Sequence, residues 1–213
     1  MVLRKSIVTI LAVFCLFLLG CKDVTKEIDS WTTEENKSTV KGTTHYLNND
    51  GIRIVLPEAF KRFSAAEYEA VVNEILPKKD REPELDRLRT LRNMDGNFYV
   101  FFDKESYSTY TANAIPYKPI SRKDATNLLA LIRENQEKAT ENRKVEITKV
   151  TAKYNDNGMA QIFKAIFKIK DLKTNSETFQ TAYFISSNDK TVLIQLSTPI
   201  QVDFDPYLQQ MVF

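Results

Sequence analysis

The stretch "MAQIFKAIFKIK", residues 159–170, decides what kind of fold this chain makes. Phe163, Ala165, Phe167 and Ile169 alternate with Lys164, Lys168 and Lys170. Successive side chains of a strand point to opposite faces, so this segment is a strand with one buried face and one wet face. Runs of the same kind lie on both sides, at residues 145–154, 178–186 and 191–197. They are separated by "NDNG", "DLKTNS" and "SNDK", whose Asn, Asp, Gly and Ser residues suit tight turns. The expectation is a four-strand antiparallel meander.

Toward the N-terminus the pattern changes. "FYVFFD" at 98–103 is short, aromatic and continuous, as in a strand buried on both faces, and "YSTYTANAI" at 107–115 reads as its neighbour. Between that pair and the meander, Ser121 and Asp124 open a long helix with Ala125, Leu128, Leu129 and Ile132 on its buried face, ending near Asn142. Earlier, "SAAE" at 64–67 is a capping box for a helix with Tyr68, Val71, Val72, Ile75 and Leu76 at helical spacing, stopped by Pro77. A second, charged helix is expected from Pro83, on a stripe of Leu85, Leu88 and Leu91. "HYLNNDGIRIVLP" at 45–57 reads as a hairpin turning at Asn48 to Gly51. At the other end, "DFDPYLQQMVF" reads as a closing helix with Asp205 as N-cap and Pro206 at its first position.

This order of elements resembles the PsbP and Mog-type α/β/α sandwich. The features that carry the likeness are "GIRIVLPEAF" after the first turn, the helix from Arg122, the meander and the closing "DFDPYL". The resemblance implies an α+β fold, an α/β/α sandwich with a mainly antiparallel sheet and a C-terminal four-strand meander, over residues 45–213 as one domain. It also implies a binding or assembly factor without catalytic activity, although a fold by itself does not specify a function.

Residues 1–20 are of a different kind. Arg4 and Lys5 precede the thirteen-residue apolar run "IVTILAVFCLFLL" at 7–19. As a helix that run covers roughly 20 Å, against the roughly 30 Å of a bilayer core, so it reads as a signal peptide and not as a span. "LLGC" at 18–21 resembles the lipobox of bacterial lipoproteins. That likeness implies cleavage before Cys21 and two or three acyl chains on it, enough to anchor a protein stably. The expected location is the outer membrane of a Gram-negative bacterium, with the periplasmic and outward-facing sides both open. Residues 21–44 contain Val24, Ile28, Trp31 and Val40 as their larger apolar residues, and read as a lipidated flexible tether.

Composition excludes several functions. Without Arg4 and Lys5, the chain's 30 Lys and Arg fall to match its 28 Asp and Glu, so no basic excess points to nucleic acid. Of the two cysteines, Cys15 leaves with the signal peptide and Cys21 is acylated, which removes disulfides, thiolate zinc sites and cysteine nucleophiles. None of the five glycines sits in a phosphate-cradling pattern, so no nucleotide is expected. The single histidine, His45, is read as structural or solvated, and Asp203 with Asp205 as capping. No cofactor, metal site or catalytic residue is assigned. The charged helix should be solvated and self-paired through Glu84–Arg87 and Asp86–Arg89, with Arg92 on the apolar stripe and so either snorkelling or paired with a buried acid.

The candidate binding surface is Tyr107, Tyr110 and Tyr117, around a Thr- and Asn-rich strand and the rigid "PYKP" loop at 116–119. Aromatics beside hydroxyls and amides anchor protein partners or stack on sugars. The leading expectation is a lipid-anchored envelope protein that binds a protein partner. A small-molecule or glycan binder, and a hydrolase with paired carboxylates from separate strands, are the alternatives.

Overall fold

The computed structural model describes residues 29–30, 40–140 and 144–213. The signal peptide, the lipobox with Cys21, and Trp31 lie outside the described residues. The centre is an eight-stranded sheet in the order β1-β7-β8-β9-β10-β6-β5-β4, antiparallel except at β1. The meander is β7 (Val145–Asp156), β8 (Ala160–Asp171), β9 (Glu177–Ser187) and β10 (Lys190–Thr198), each antiparallel to the next. Its last strand pairs with β6 (Ser108–Ile115), which pairs in turn with β5 (Asn97–Asp103). The fold is therefore α+β with a mainly antiparallel sheet, as the alternation around Phe163 requires.

Two short strands lie at the edges of this sheet, and a hairpin stands apart from it. A short β4 (Lys61–Phe63), which the sequence reading left unassigned, covers part of β5. Two residues of the expected tether form β1 (Asp29–Ser30) and pair in parallel with Lys153 and Tyr154 on the β7 edge. The hairpin of β2 (Thr43–Leu47) and β3 (Ile52–Leu56) makes a separate two-stranded ribbon, joined by an antiparallel bridge from Arg53 to Val212 near the C-terminus. Between β7 and β8 the register slips at Lys149 to Thr151, leaving Val150 as a bulge.

Strand pleating divides the sheet into two covered faces. On one face lie Phe98, Val100, Phe102, Phe163, Ala165 and Phe184; on the other Tyr99, Phe101, Tyr110, Tyr183, Ile194 and Leu196. Helices α1 (Ala65–Ile75), α2 (Lys78–Arg92) and α3 (Arg122–Thr140) cover the first. Tyr68, Val72 and Leu88 pack with Val100 and Phe102, and Ala125 and Leu129 pack with Phe163, Ala165 and Phe167. The second face is closed by the β2–β3 hairpin, Phe60, Phe204 and the one-turn helix α4 (Asp205–Leu208). Phe204 meets Phe60 edge-on with centroids 6.0 Å apart and lies 6.2 Å from Tyr110, so an aromatic wedge joins the lid to the sheet.

Several local expectations hold and several need correction. Ser64 and Glu67 form both halves of the capping box at α1. Helix α2 starts at Lys78, not at Pro83, which lies inside it. A proline this near the N-terminus removes a single hydrogen bond, and the first turn is held by Asp80 N–H donating to the Pro77 carbonyl at 2.8 Å. At α4 the N-cap is Phe204, and Asp205 is already helical. Its carboxylate is used elsewhere. Arg92 leaves the apolar stripe and pairs with Glu69 of α1 at 3.1 Å.

Candidate functional site

The sheet has two ends, and the three tyrosines divide between them and the core. Tyr110 is 2% exposed, in the aromatic core with Phe101 and Phe204, and so belongs to no surface. Its alternation on β6 points it under the hairpin. Tyr107 is exposed in the β5–β6 turn with φ of 55°, and its ring lies 6.5 Å from Phe102. Tyr117 is exposed at the opposite end of β6. The expected cleft of three tyrosines is not built, because β6 separates two of them by its length and buries the third.

Around Tyr117 the chain forms a strap. Residues 116–121 run across the ends of several strands on the way from β6 to α3. The Lys118 N–H donates to Thr191 Oγ1 at 2.8 Å, and its carbonyl accepts from the Ser186 and Thr191 hydroxyls. Further on, the Ile120 N–H donates to Gln161 Oε1 at 2.8 Å, while Tyr154 donates its hydroxyl to the Ile120 carbonyl at 2.8 Å. Four strands thus pin this loop, and Pro116 and Pro119 fix its backbone further. The side chain of Tyr117 faces outward from it. In the β7–β8 turn at the same end of the sheet, Met159 is 78% exposed and its carbonyl accepts from the Ser187 hydroxyl. The result is a rigid aromatic and a flexible thioether at one end of the sheet.

Two polar clusters lie inside the molecule. Lys164, expected on the wet face, has a side chain only 8% exposed. The C-terminal segment folds over that part of the sheet and supplies the counter-charge. Lys164 Nζ is 2.7 Å from Asp205 Oδ1 and 3.8 Å from Asp203 Oδ1, and lies 5.6 Å above the Tyr183 ring. The Tyr183 hydroxyl also donates to Asp205 Oδ1, at 2.9 Å, and burial with this carboxylate raises the phenol well above its ordinary value. Asp203 accepts the Asp205 N–H. The two aspartates gather around one ammonium and do not face each other across a cleft, so their role is to clamp α4 to the sheet.

On the helical face, Tyr68 bridges Glu84 and Thr109, both at 2.9 Å. Glu84 pairs with Arg87 at 2.6 Å, and Arg87 Nη1 reaches Gln195 Oε1 at 3.1 Å. Asp86–Arg89 is the solvated pair that the i,i+3 spacing predicts, but Glu84–Arg87 turns inward against β6 and β10. Thr109 and Gln195 are strand positions that sequence alternation places on this face, yet nothing in the spacing marks them as partners of a helix.

His45 sits on the inner side of β2 with its ring centroid 4.8 Å from Phe101, and its Nε2 is buried without a hydrogen-bond partner. Burial, then Arg62 and Lys61, lowers its pKa from the ordinary 6.5. The charged form is disfavoured in the folded state, so the unfolded chain binds the extra proton. Stability should therefore be level above pH 6.5 and fall as the pH drops below it. Denaturant midpoints between about pH 7 and pH 5 should show this slope, and His45→Phe should flatten it.

Two surface clefts are open and shallow. One of about 510 Å³ lies at the β4–β5 edge and is lined by Arg62, Ser64, Glu67, Arg92 and Tyr99. Its polar groups answer one another: Arg62 stacks 4.9 Å above Tyr99, Glu67 caps α1 and Arg92 holds Glu69. Among the described residues no three His, Cys, Asp or Glu side chains converge to hold a metal ion, and no helix is long and apolar enough to cross a membrane.

No family model and no curated protein matches the chain. Among solved structures it is similar to the solution structure of cyanobacterial PsbP (CyanoP) from Synechocystis sp. PCC 6803, at 12% identity with a TM-score of 0.52. The match covers 85% of this chain and 97% of that one. At this identity the likeness shows the fold alone, and the fold is PsbP-like.

Proposed function

We propose that this chain is a lipid-anchored protein of the bacterial cell envelope that binds a protein partner through the Tyr117 end of its sheet and catalyses no reaction. The observation that carries the reading is the pinned strap. Association costs less when the contacting groups are already ordered, and aromatic anchors are enriched among residues that dominate interfaces. Tyr117, held on a backbone tied to four strands, has that character, and Met159 at the same end of the sheet can adapt to the partner's shape. Anchoring is carried by Cys21, which follows a thirteen-residue apolar run and opens a polar segment. The outer membrane of a Gram-negative cell remains the proposed address.

Affinity capture with the mature protein from detergent-solubilised envelopes should retain one defined protein in near-stoichiometric amount. Tyr117→Ala should weaken that binding by roughly thirtyfold, the equivalent of about 2 kcal/mol at an interface anchor. Recovery of monomer alone under several solubilisation conditions would sink the partner reading. Separately, Cys21→Ser should abolish acyl labelling and leave precursor or released protein, and membrane attachment unchanged by that substitution would refute lipid anchoring.

A further inference from the structure

We propose that the β5 edge beside β4 is a second docking site, which takes up an extended peptide of a partner protein as an added strand and holds one acidic side chain of that peptide on Arg62. The site is what the chain leaves open at this border of the sheet. β4 ends at Phe63, opposite Val100, because Ser64 caps α1 and turns the chain into it. β5 runs on through Tyr99, Phe98 and Asn97 with β6 on one side and, among the described residues, no strand on the other. Its pairing with β6 is unbroken and its open part is neutral, so neither a bulge nor a charge on the strand guards this edge. The cleft of about 510 Å³ lies here, with Phe63, Phe98, Tyr99 and Val100 in its lining. Such an edge binds an extended chain through backbone hydrogen bonds, and alternate side chains add the selectivity.

Strand pleating sets what the peptide must carry. Arg62 stands opposite Phe101, so it shares the hairpin side of the sheet with Tyr99, and its guanidinium rests 4.9 Å from the Tyr99 ring centroid. It is exposed, reaches the Tyr46 carbonyl only at 3.4 Å, and forms no ion pair among the described residues. A guanidinium stacked on an aromatic ring still presents its fork to a carboxylate. A peptide residue opposite Tyr99 continues the line of β4 and points to this side, two positions from Arg62. The next residue, opposite Phe98, points to the helical side, where Phe63 and Phe98 are half-buried. There Glu67 is spent in the cap of α1 and Arg92 is paired with Glu69, so an apolar side chain fits. Opposite Asn97, the Asp50 carboxylate accepts from Asn97 Nδ2 and the Tyr99 hydroxyl and repels a second acid. The occupant is an alternating segment with a single acid beside an apolar residue.

The probe is a fluorescein-labelled, end-blocked nonapeptide of alternating threonine and valine with one central glutamate, titrated by anisotropy against the full chain in detergent. Its glutamine counterpart should bind roughly fivefold more weakly. On Arg62→Ala the two peptides should bind alike, and because Arg62 is exposed this variant keeps its fold. Hydrogen-exchange mass spectrometry should show slowed exchange at residues 97–99 when the glutamate peptide is bound. Equal binding of both peptides to the unaltered chain, protection confined to other segments, or no binding of either at millimolar concentration would overturn the proposal. So would a dimer of the free protein that already protects residues 97–99, since the edge would then belong to a second copy.

Discussion

Asp205→Ala is expected to cost about 3–5 kcal/mol of folding stability, a large share of what a domain of this size commands. The substitution removes the carboxylate but leaves the Lys164 ammonium in a site where its side chain is 8% exposed. It also deprives the Tyr183 hydroxyl of its acceptor and releases α4, whose N-cap residue Phe204 wedges between Phe60 and Tyr110. Most of this is the cost of a buried charge left with the weaker company of Asp203 at 3.8 Å, not the worth of the ion pair. Adding Lys164→Met to the Asp205→Ala chain should therefore recover most of the loss, since a volume-matched apolar side chain in such a site is often neutral. Urea midpoints of the two variants test the account. A loss under about 1 kcal/mol for Asp205→Ala would show that water reaches the ammonium.

Gly96→Ala is expected to be comparably severe, at roughly 4 kcal/mol, for a reason unrelated to charge. Gly96 enters β5 with φ of 94°, and a Cβ built there falls 1.8 Å from the Ala114 carbonyl oxygen. Ala114 is the strand partner of Asn97, so the obstruction is backbone of β6 and can retreat only if the two strands part. Gly158 supplies the comparison. It also has positive φ, at 79°, but no heavy atom lies within 4 Å of its Cβ position, so Gly158→Ala should cost about 1 kcal/mol from backbone strain alone. Equal losses at the two sites would show that the clash is relieved by strand adjustment.

Hydrophobic alternation and turn chemistry made the meander, β5 and β6 legible, because a strand buried against helices must repeat at two and stop at Asn, Asp or Gly. The capping box at Ser64 and the helix after Ser121 were legible for the same local reason. What local pattern does not contain is the second face. Nothing in "FKAIFKIK" tells that Lys164 lies beneath the C-terminal segment, since its partner Asp205 is 41 residues away. The aspartate pair announced itself as a cap because spacing before a proline is a local cue, whereas its actual partner is set by tertiary folding. Tyr110 misled in the same way. Polar neighbours in sequence suggested a surface, but in a strand covered on both faces every second residue of "STYTANAI" is core. The strap at 116–121 was visible as a rigid loop from its prolines, while the hydroxyls that pin it, Ser186 and Thr191, come from strands with no distinguishing motif.

The bulge at Val150 gains importance once the protein is imagined among its neighbours. The β7 edge is twelve residues long, and among the described residues β1 pairs with two of them, so it is an edge of the kind that other chains extend. A register slip at its middle bends that edge, and Glu146, Lys149 and Lys153 place charge along it. A straight, neutral strand there would invite chain after chain to zip together. The irregularity blunts that edge against pairing with a second copy.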